Sequence, residues 1–357
     1  MRSSYRPEDV TILLKDITGL VAPMENIDRE RMIQSGVHYS EMIPREHLPS
    51  EEYLQTFFRG LEKYSEHTAR AAVLTAQKIL ADKGGDAVLV SLARAGTPVG
   101  IILKRFIKRL CGADIPHYTI SIIRGKGIDD NAMKYILDRH PPEKIQFIDG
   151  WTGKGAIQRQ LLAAMKKYPD VDPTVAVLSD PAHVAGICGT HTDFMIPSSC
   201  LNSTVSGLMS RTFRRSDIIG EDDFDGALCY EEFAPFDLSY RFIDEVEKHF
   251  GTALTFPDET ACDSGENDDM TVTAFGEVEQ VAEHFGIADI NFVKPGIGET
   301  TRVLLRRIPW KILVHSRDDT EHLAHIYQLA EEKNVPVEVY PLRHYKCVGL
   351  IKSLADT

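Results

Sequence analysis

Long apolar runs are missing from this chain. No uninterrupted hydrophobic stretch approaches the roughly 18–20 residues that a bilayer span requires, which rules out a helical integral membrane protein. The opening residues, MRSSYRPEDV, hold no apolar core followed by a cleavage site, so no secretory leader is expected. Cysteine is sparse: Cys111, Cys188, Cys200, Cys229, Cys262 and Cys347 are scattered, with no CxxC pair. That spacing argues against a disulfide scaffold or a zinc ribbon and fits a reducing cytoplasm. Internal repeats and low-complexity tracts are also lacking.

What is present is charge, unevenly placed. The 357 residues carry 53 Asp plus Glu against 40 Lys plus Arg, a formal net charge of −13. Spread evenly, that total would argue against a nucleic-acid partner. Residues 1–215, however, hold 28 basic and 24 acidic side chains, residues 216–289 hold 2 and 21, and residues 290–357 hold 10 and 8. Such an abrupt shift marks segment boundaries. PDETACDSGENDDM (257–270) has linker chemistry. The reading is a first domain over 1–255 with an N-terminal extension, an acidic linker over 256–274, and a small domain over 275–357.

Between about 60 and 200 the pattern alternates between helix and strand. EKYSEHTARAAVLTAQKILADK has a helical period and stops at Gly84-Gly85. AVLVSL, HYTISII, KIQFID, TVAVLSD and TDFMIP read as strands, with helices between several of them. Pro98 sits in the first turn of the helix PVGIILKRFIKRL, where its missing N–H is harmless. The expectation is an α/β fold with a doubly wound parallel sheet, whose ligands bind beyond the carboxyl ends of the strands. This selects LARAGTP, IIRGKG and FIDGWTGKG as site loops.

The last loop is the most informative. Asp149-Gly150-Trp151-Thr152-Gly153-Lys154-Gly155 joins a strand to a helix, and its small residues let backbone N–H groups converge on an anion. Walker A spacing is not met, since Ile148 and Gly155 stand where Gly and Ser or Thr would be needed, and no GxGxxG is spelled. A tight strand-to-helix turn without ligand is the bland alternative.

The acid followed by Thr-Gly resembles the PRPP loop of type I phosphoribosyltransferases, and Arg94-Ala95-Gly96-Thr97 resembles their diphosphate loop. Arg124-Gly125-Lys126-Gly127 lies where that family often has a mobile basic segment. The stretch from SGVHYSEMIPRE (35–46) to CLNSTVSGLMSRTFRRSD (200–217) is similar to the phosphoribosyltransferase-like proteins of bacterial tellurium-resistance operons, a subfamily also labelled a cysteine protease. The family usually has two adjacent acids here, whereas Ile148 precedes Asp149. The resemblance implies transfer of phosphoribosyl from PRPP to an acceptor, with release of diphosphate. In that reading Thr152, Gly153, Lys154 and Gly155 hold the 5′-phosphate, and Asp149 and Gly150 face the ribose. Arg94, Ala95, Gly96, Thr97 and a PRPP-borne Mg²⁺ hold diphosphate, with Arg124 or Lys126 closing over it. Ser203 and Thr204 would line the acceptor pocket, although a helix N-cap is the simpler role for Ser203.

Two rivals stand beside this reading. One is a non-catalytic regulator that senses PRPP or a nucleotide and binds RNA. The other is a cysteine hydrolase, because Cys188 and Cys200 lie near His183, His191 and Asp193. Nucleophilic catalysis needs a thiolate beside a base that a third group orients. No local signature surrounds either cysteine, and buried cysteine is common as a small hydrophobe.

Residues 290–351 read as strand or loop, helix, strand, helix, strand, a small α/β sandwich. The segment resembles the Pelota and kink-turn ribosomal-protein RNA-binding family at Gly298-Glu299-Thr300-Thr301-Arg302 and through SRDDTEHL…AEEKNVPV. The resemblance implies structured RNA as partner, with Lys294, Gly298, Glu299, Arg302, Arg306, Arg307 and Lys311 toward it. A solvated helix face is the alternative. Whether the chain forms a homodimer is left open.

Overall fold

The computed structural model describes residues 1–254 and 273–351. The expected acidic linker, 256–274, falls outside the described residues apart from Thr273 and Ala274.

The N-terminal region is built on a six-stranded sheet. Its strands are β1 (Thr11–Ile12), β2 (Val88–Leu92), β3 (His117–Ile120), β4 (Ile145–Ile148), β5 (Val175–Ser179) and β6 (Ile187–Thr190), in the order β1-β3-β2-β4-β5-β6. Every neighbouring pair is parallel. Strands β2 to β5 are buried on both faces, which is why they read as continuous apolar runs rather than alternating ones. Helix α1 (Glu51–Lys83) begins well before the expected start and ends at Gly84, whose φ of 83° takes the chain out of the helix. Helices α2 (Gly96–Cys111), α3 (Asp130–Leu137) and α4 (Ala156–Ala164) supply the crossovers.

The order in which strands are added reverses between the parallel neighbours β2 and β4, so the loops after these strands lie side by side. A Cβ on Gly96 would stand 2.3 Å from the Ile148 carbonyl oxygen. Gly96 therefore permits the close approach of two loops.

Two sequence expectations change here. The last strand is Ile187–Thr190 rather than TDFMIP, which runs as irregular chain into the turn Pro197–Cys200. Gly189 lies inside this strand and serves contact, since a Cβ there would meet Ala71 O of α1 at 2.3 Å. LNSTVSGL forms only the short turn Ser203–Val205, and Gly207 follows it at φ 69°.

The C-terminal region is a four-stranded sheet of β7 (Val293–Pro295), β8 (Pro309–Val314), β9 (Val337–Val339) and β10 (Cys347–Ile351), in the order β7-β10-β8-β9. The expected order of elements extends by β10, which pairs antiparallel with both β7 and β8. Helices α6 (Ala274–His284), α7 (Ile297–Arg306) and α8 (Thr320–Glu332) complete it, with α5 (Ser239–Lys248) belonging to the first region. Alternation along β8 sends Ile312 and Val314 to the core shared with α7 and α8, and Leu313 to the core shared with α6. Ile297 and Leu304 of α7 join the same hydrophobic cluster as Met195 and Cys200, so this domain is docked on the first one. No helix among the described residues is long and apolar enough to cross a membrane.

Candidate active site at the sheet edge

The expected phosphate loop is already filled by protein. Thr152 N–H donates to Ser179 O at 3.0 Å, and its hydroxyl donates to Asp180 Oδ1 at 2.5 Å. Lys154 Nζ donates to Ile290 O at 2.6 Å, and Gly153 O accepts from the Tyr345 hydroxyl at 2.7 Å. Burial, with Lys294 and Arg124 nearby, pushes the Lys154 ammonium down to about 8. Burial also pushes Asp149 up to about 6, although Gly150 N–H donates to its Oδ1. Gly155, at φ 71°, opens α4.

The neighbouring expected residues are likewise engaged. Arg94 donates to Glu46 Oε1 (2.7 Å), Asn202 Oδ1 (3.1 Å) and Met209 O (2.6 Å). Ala95 and Gly96 start α2, and buried Thr97 accepts from the Thr119 hydroxyl at 3.1 Å. Lys126 pairs with Glu41 at 2.7 Å, while Arg124 is exposed and its guanidinium lies 5.5 Å from the Tyr39 ring centre. Ser203 and Thr204 are buried and their hydroxyls have no hydrogen-bond partner, so Ser203 does not act as an N-cap.

The C-terminal candidates turn inward on this loop. The Arg302 guanidinium stacks 4.6 Å over Trp151, and its Nε donates to Ser199 O at 3.2 Å. Glu299 Oε1 accepts from Arg302 at 2.9 Å. A Cβ on Gly298 would sit 3.2 Å from the Trp151 ring. Asp193 accepts the N–H groups of Ile297 (2.9 Å) and Lys346 (3.0 Å), and burial raises its carboxyl to about 6. Lys311 pairs with Glu338, Lys294 lies in β7, Arg306 ends α7, and Arg307 follows it, exposed.

One strand further along the sheet lies a different constellation. Cys188 on β6 places Sγ 3.7 Å from His191 Nε2. His191 Nδ1 lies 2.9 Å from Asp180 O, a bond in which Nδ1–H donates, and this leaves the Nε2 lone pair toward sulfur. Asp180, at zero exposure just past β5, lies 3.9 Å from His191 Nδ1 through Oδ2. Its carboxylate accepts from Thr152, Val184 N (3.2 Å) and Ala185 N (3.0 Å). The His183 ring stacks on His191 at 3.9 Å and 5°. His183 holds this place at φ 53°, a sparsely populated conformation for a non-glycine residue.

Burial and the Asp180 charge push the Cys188 thiol up to about 11, so the resting sulfur carries its proton and a base must take it. His191 is placed for that. The side chain of His191 is 33% exposed, which leaves the pair open to solvent on one side. Cys200 differs, being fully buried with Sγ 3.6 Å from the Met195 sulfur.

Ligand atoms of Asp180, Cys188 and His191 lie within 4.8 Å of one another, a sulfur, nitrogen and oxygen set of the kind zinc accepts. The hydrogen bonds already on Asp180 favour its orienting role over ligation. Sequence reasoning named Cys188 and His191 but missed Asp180 as their partner. The signal was a Cys-x-x-His step at a strand end, with an Asp closing the preceding strand.

Comparison with known proteins points to cysteine-protease chemistry. A family model described as "Tellurite-like stress resistance cysteine protease StiP" matches residues 3–247, and one described as "PELOTA RNA binding domain" matches residues 272–353. "Cysteine protease StiP" of Acinetobacter baylyi is 34% identical over 371 residues, covering 98% of this chain and 94% of that protein. A solved structure, a probable N-succinyldiaminopimelate aminotransferase from Thermus thermophilus, covers 97% of this chain and 92% of its own at 10% identity, with a TM-score of 0.25. That likeness is too low to carry an argument. These matches overturn the expected PRPP phosphoribosyltransferase activity, because the family and the relative are both named for a cysteine protease. Matched over most of its length by both comparisons, the chain belongs to the StiP family and carries a Pelota RNA-binding domain at its C-terminal end.

Proposed function

We propose that this protein is a cysteine hydrolase acting on a peptide or protein, with Cys188 as nucleophile, His191 as general base and Asp180 as the group that orients the imidazole. The observation that carries it is the 3.7 Å approach of Cys188 Sγ to His191 Nε2, on an imidazole whose other nitrogen is tied to Asp180 O at 2.9 Å. In the reaction, Nε2 takes the thiol proton as sulfur bonds to the substrate carbonyl carbon. The imidazolium then returns the proton to the leaving amine as the carbon–nitrogen bond breaks. Water, deprotonated by the same imidazole, hydrolyses the thioester and frees the thiol. The peptide substrate class is supported by the names of the family and of the relative.

The test is iodoacetamide labelling followed by peptide mapping, with hydrolysis of an unfolded protein substrate measured in parallel. Labelling at Cys188 should abolish hydrolysis, Cys188→Ser should be inactive, and Cys200→Ser should retain activity. Full hydrolysis by Cys188→Ser, or inactivation that maps to Cys200, overturns the reading.

A further inference from the structure

The His191 imidazole is tied through Nδ1 to Asp180 O at 2.9 Å. A ring held at one atom can still tilt about that bond, and the His191 side chain is too exposed for burial to fix it. Its Nε2 lone pair must nevertheless stay aimed at Cys188 Sγ, 3.7 Å away. A second ring fixes the plane. His183 lies face to face with His191, the centroids 3.9 Å apart and the planes 5° from parallel. His183 is itself exposed, so burial does not account for its place. It holds φ at 53°, a left-handed conformation that costs energy in any residue other than glycine. Its N–H donates to Asp180 O at 3.2 Å, so one backbone carbonyl anchors both histidines.

The loop that presents His183 is seated in the second domain. Buried Ala182 belongs to the hydrophobic cluster of Ala274, Val278, Val293 and Tyr345, and Val184 packs against it. Between these two apolar neighbours the His183 ring meets His344 edge-on, with centroids 6.0 Å apart and planes at 79°. Edge-to-face packing of this kind is favourable between aromatic rings. His344 is immobilised in turn. Its Nδ1 lies 2.8 Å from Glu277 Oε2, which also accepts the His344 N–H at 3.0 Å, while Oε1 accepts the Arg343 N–H at 2.6 Å. Both side chains of the Glu277–His344 pair are buried. A continuous path of contacts therefore runs from a buried carboxylate on α6 to the imidazole beside Cys188.

We propose that His183 is a positioning residue of the hydrolase site, and that the C-terminal domain keeps it in place through His344 and Glu277. The inference rests on Cys188 and His191 being the reacting pair. His183 acts through the imidazole it stacks on, by holding that ring in the plane from which Nε2 reaches the thiol. The second domain is thereby a working part of the catalytic centre.

The experiment uses three substitutions in the full chain: His183→Asn, which tolerates a positive φ, His344→Ala, and His344→Phe, which keeps an aromatic edge in place. His183→Asn and His344→Ala should each lower kcat about tenfold with KM unchanged, as for lost orientation of a catalytic group. His344→Phe should recover most of its share. His183→Asn combined with His344→Ala should be no slower than His183→Asn alone, because both act along one path. In NMR spectra of the histidine rings, His183→Asn should shift the His191 Hε1 resonance, since an aromatic ring shields protons held over its face. Unchanged kcat with an unmoved His191 resonance, in a variant that melts with the parent, overturns the proposal. A kcat loss in His183→Asn with none in His344→Ala overturns the part given to the second domain. Cys188→Ser in the same assay separates the two readings. Hydrolysis that survives there removes the nucleophile and this proposal with it, whereas hydrolysis lost there but intact in His183→Asn overturns the positioning alone.

Discussion

Two strand ends of one sheet behave in opposite ways. After β4, the loop from Asp149 to Gly155 has the composition of an anion cradle, yet Tyr345, Ile290 and Asp180 take up its carbonyl, ammonium and hydroxyl. After β5 and β6 the chain has little motif to show, yet a sulfur and an imidazole meet there with their orienting group in place. Chemistry depends on which groups remain available after packing, and small residues that invite a ligand also invite a neighbouring domain. Thr152 joins the two ends, because the hydroxyl assigned to phosphate donates to the carboxylate beside His191.

The largest expected effect separates the two ends directly. His191→Ala should lower the hydrolysis rate by roughly 10²–10⁴-fold, the usual contribution of a general base. Lys154→Ala should leave it within a few-fold of the parent. Equal losses in steady-state assays of both variants would erase the distinction.

A second effect tests how firmly the cradle is covered. Asp193→Ala leaves the buried N–H of Ile297 and the part-buried N–H of Lys346 without their acceptor. At about 1–3 kcal/mol for an orphaned buried donor, urea unfolding should show a clear loss, and protease cleavage between the domains should speed up. Unchanged urea and proteolysis profiles would mean that the second domain is held elsewhere.

Thr152→Val is a smaller and sharper probe. It keeps the volume and removes the hydroxyl that fixes Asp180, so kcat should fall about tenfold with KM unchanged, as expected for lost orientation rather than lost binding. A rise in KM alone would return Thr152 to ligand binding.

A last effect concerns pH. Burial raises Asp149 to about 6 from an ordinary value of 3.8, so the folded protein holds this proton more tightly than the unfolded chain does. Its contribution is fully present below about 4 and is lost as pH rises through 6. Relative to Asp149→Asn, the parent should therefore lose up to about 3 kcal/mol between pH 4 and 7, at about 1.4 kcal/mol for each tenfold difference in proton affinity. Parallel urea midpoints for the two proteins across that range would remove Asp149 from the buried set.

Much of the architecture was legible in the sequence. β2 to β5 appeared as apolar runs because helices cover both faces of a parallel sheet. Gly84 marked the end of α1 because only an unhindered residue adopts its positive φ without strain. The strand at Ile187–Thr190 was illegible, since Gly189 serves contact with Ala71 rather than a turn, and the sequence does not distinguish these uses. β10 was missed because it pairs with β7 and β8 through long-range bonds to which no local pattern corresponds. At the site, Cys188 and His191 were visible as residue types, but Asp180 was not visible as their partner.

By itself, the sequence determined the class of fold, the strongly acidic middle segment and the presence of a second, RNA-binding-like domain. Those follow from periodicity, composition and local motif, which act over a few residues. Tertiary structure decided which strand end keeps reactive groups within reach and which is covered. It also decided that Arg302 faces Trp151 across the two domains. The reason is physical: hydrogen-bond satisfaction and charge compensation are settled among groups brought together from more than a hundred residues apart, as in the Arg302–Ser199 bond.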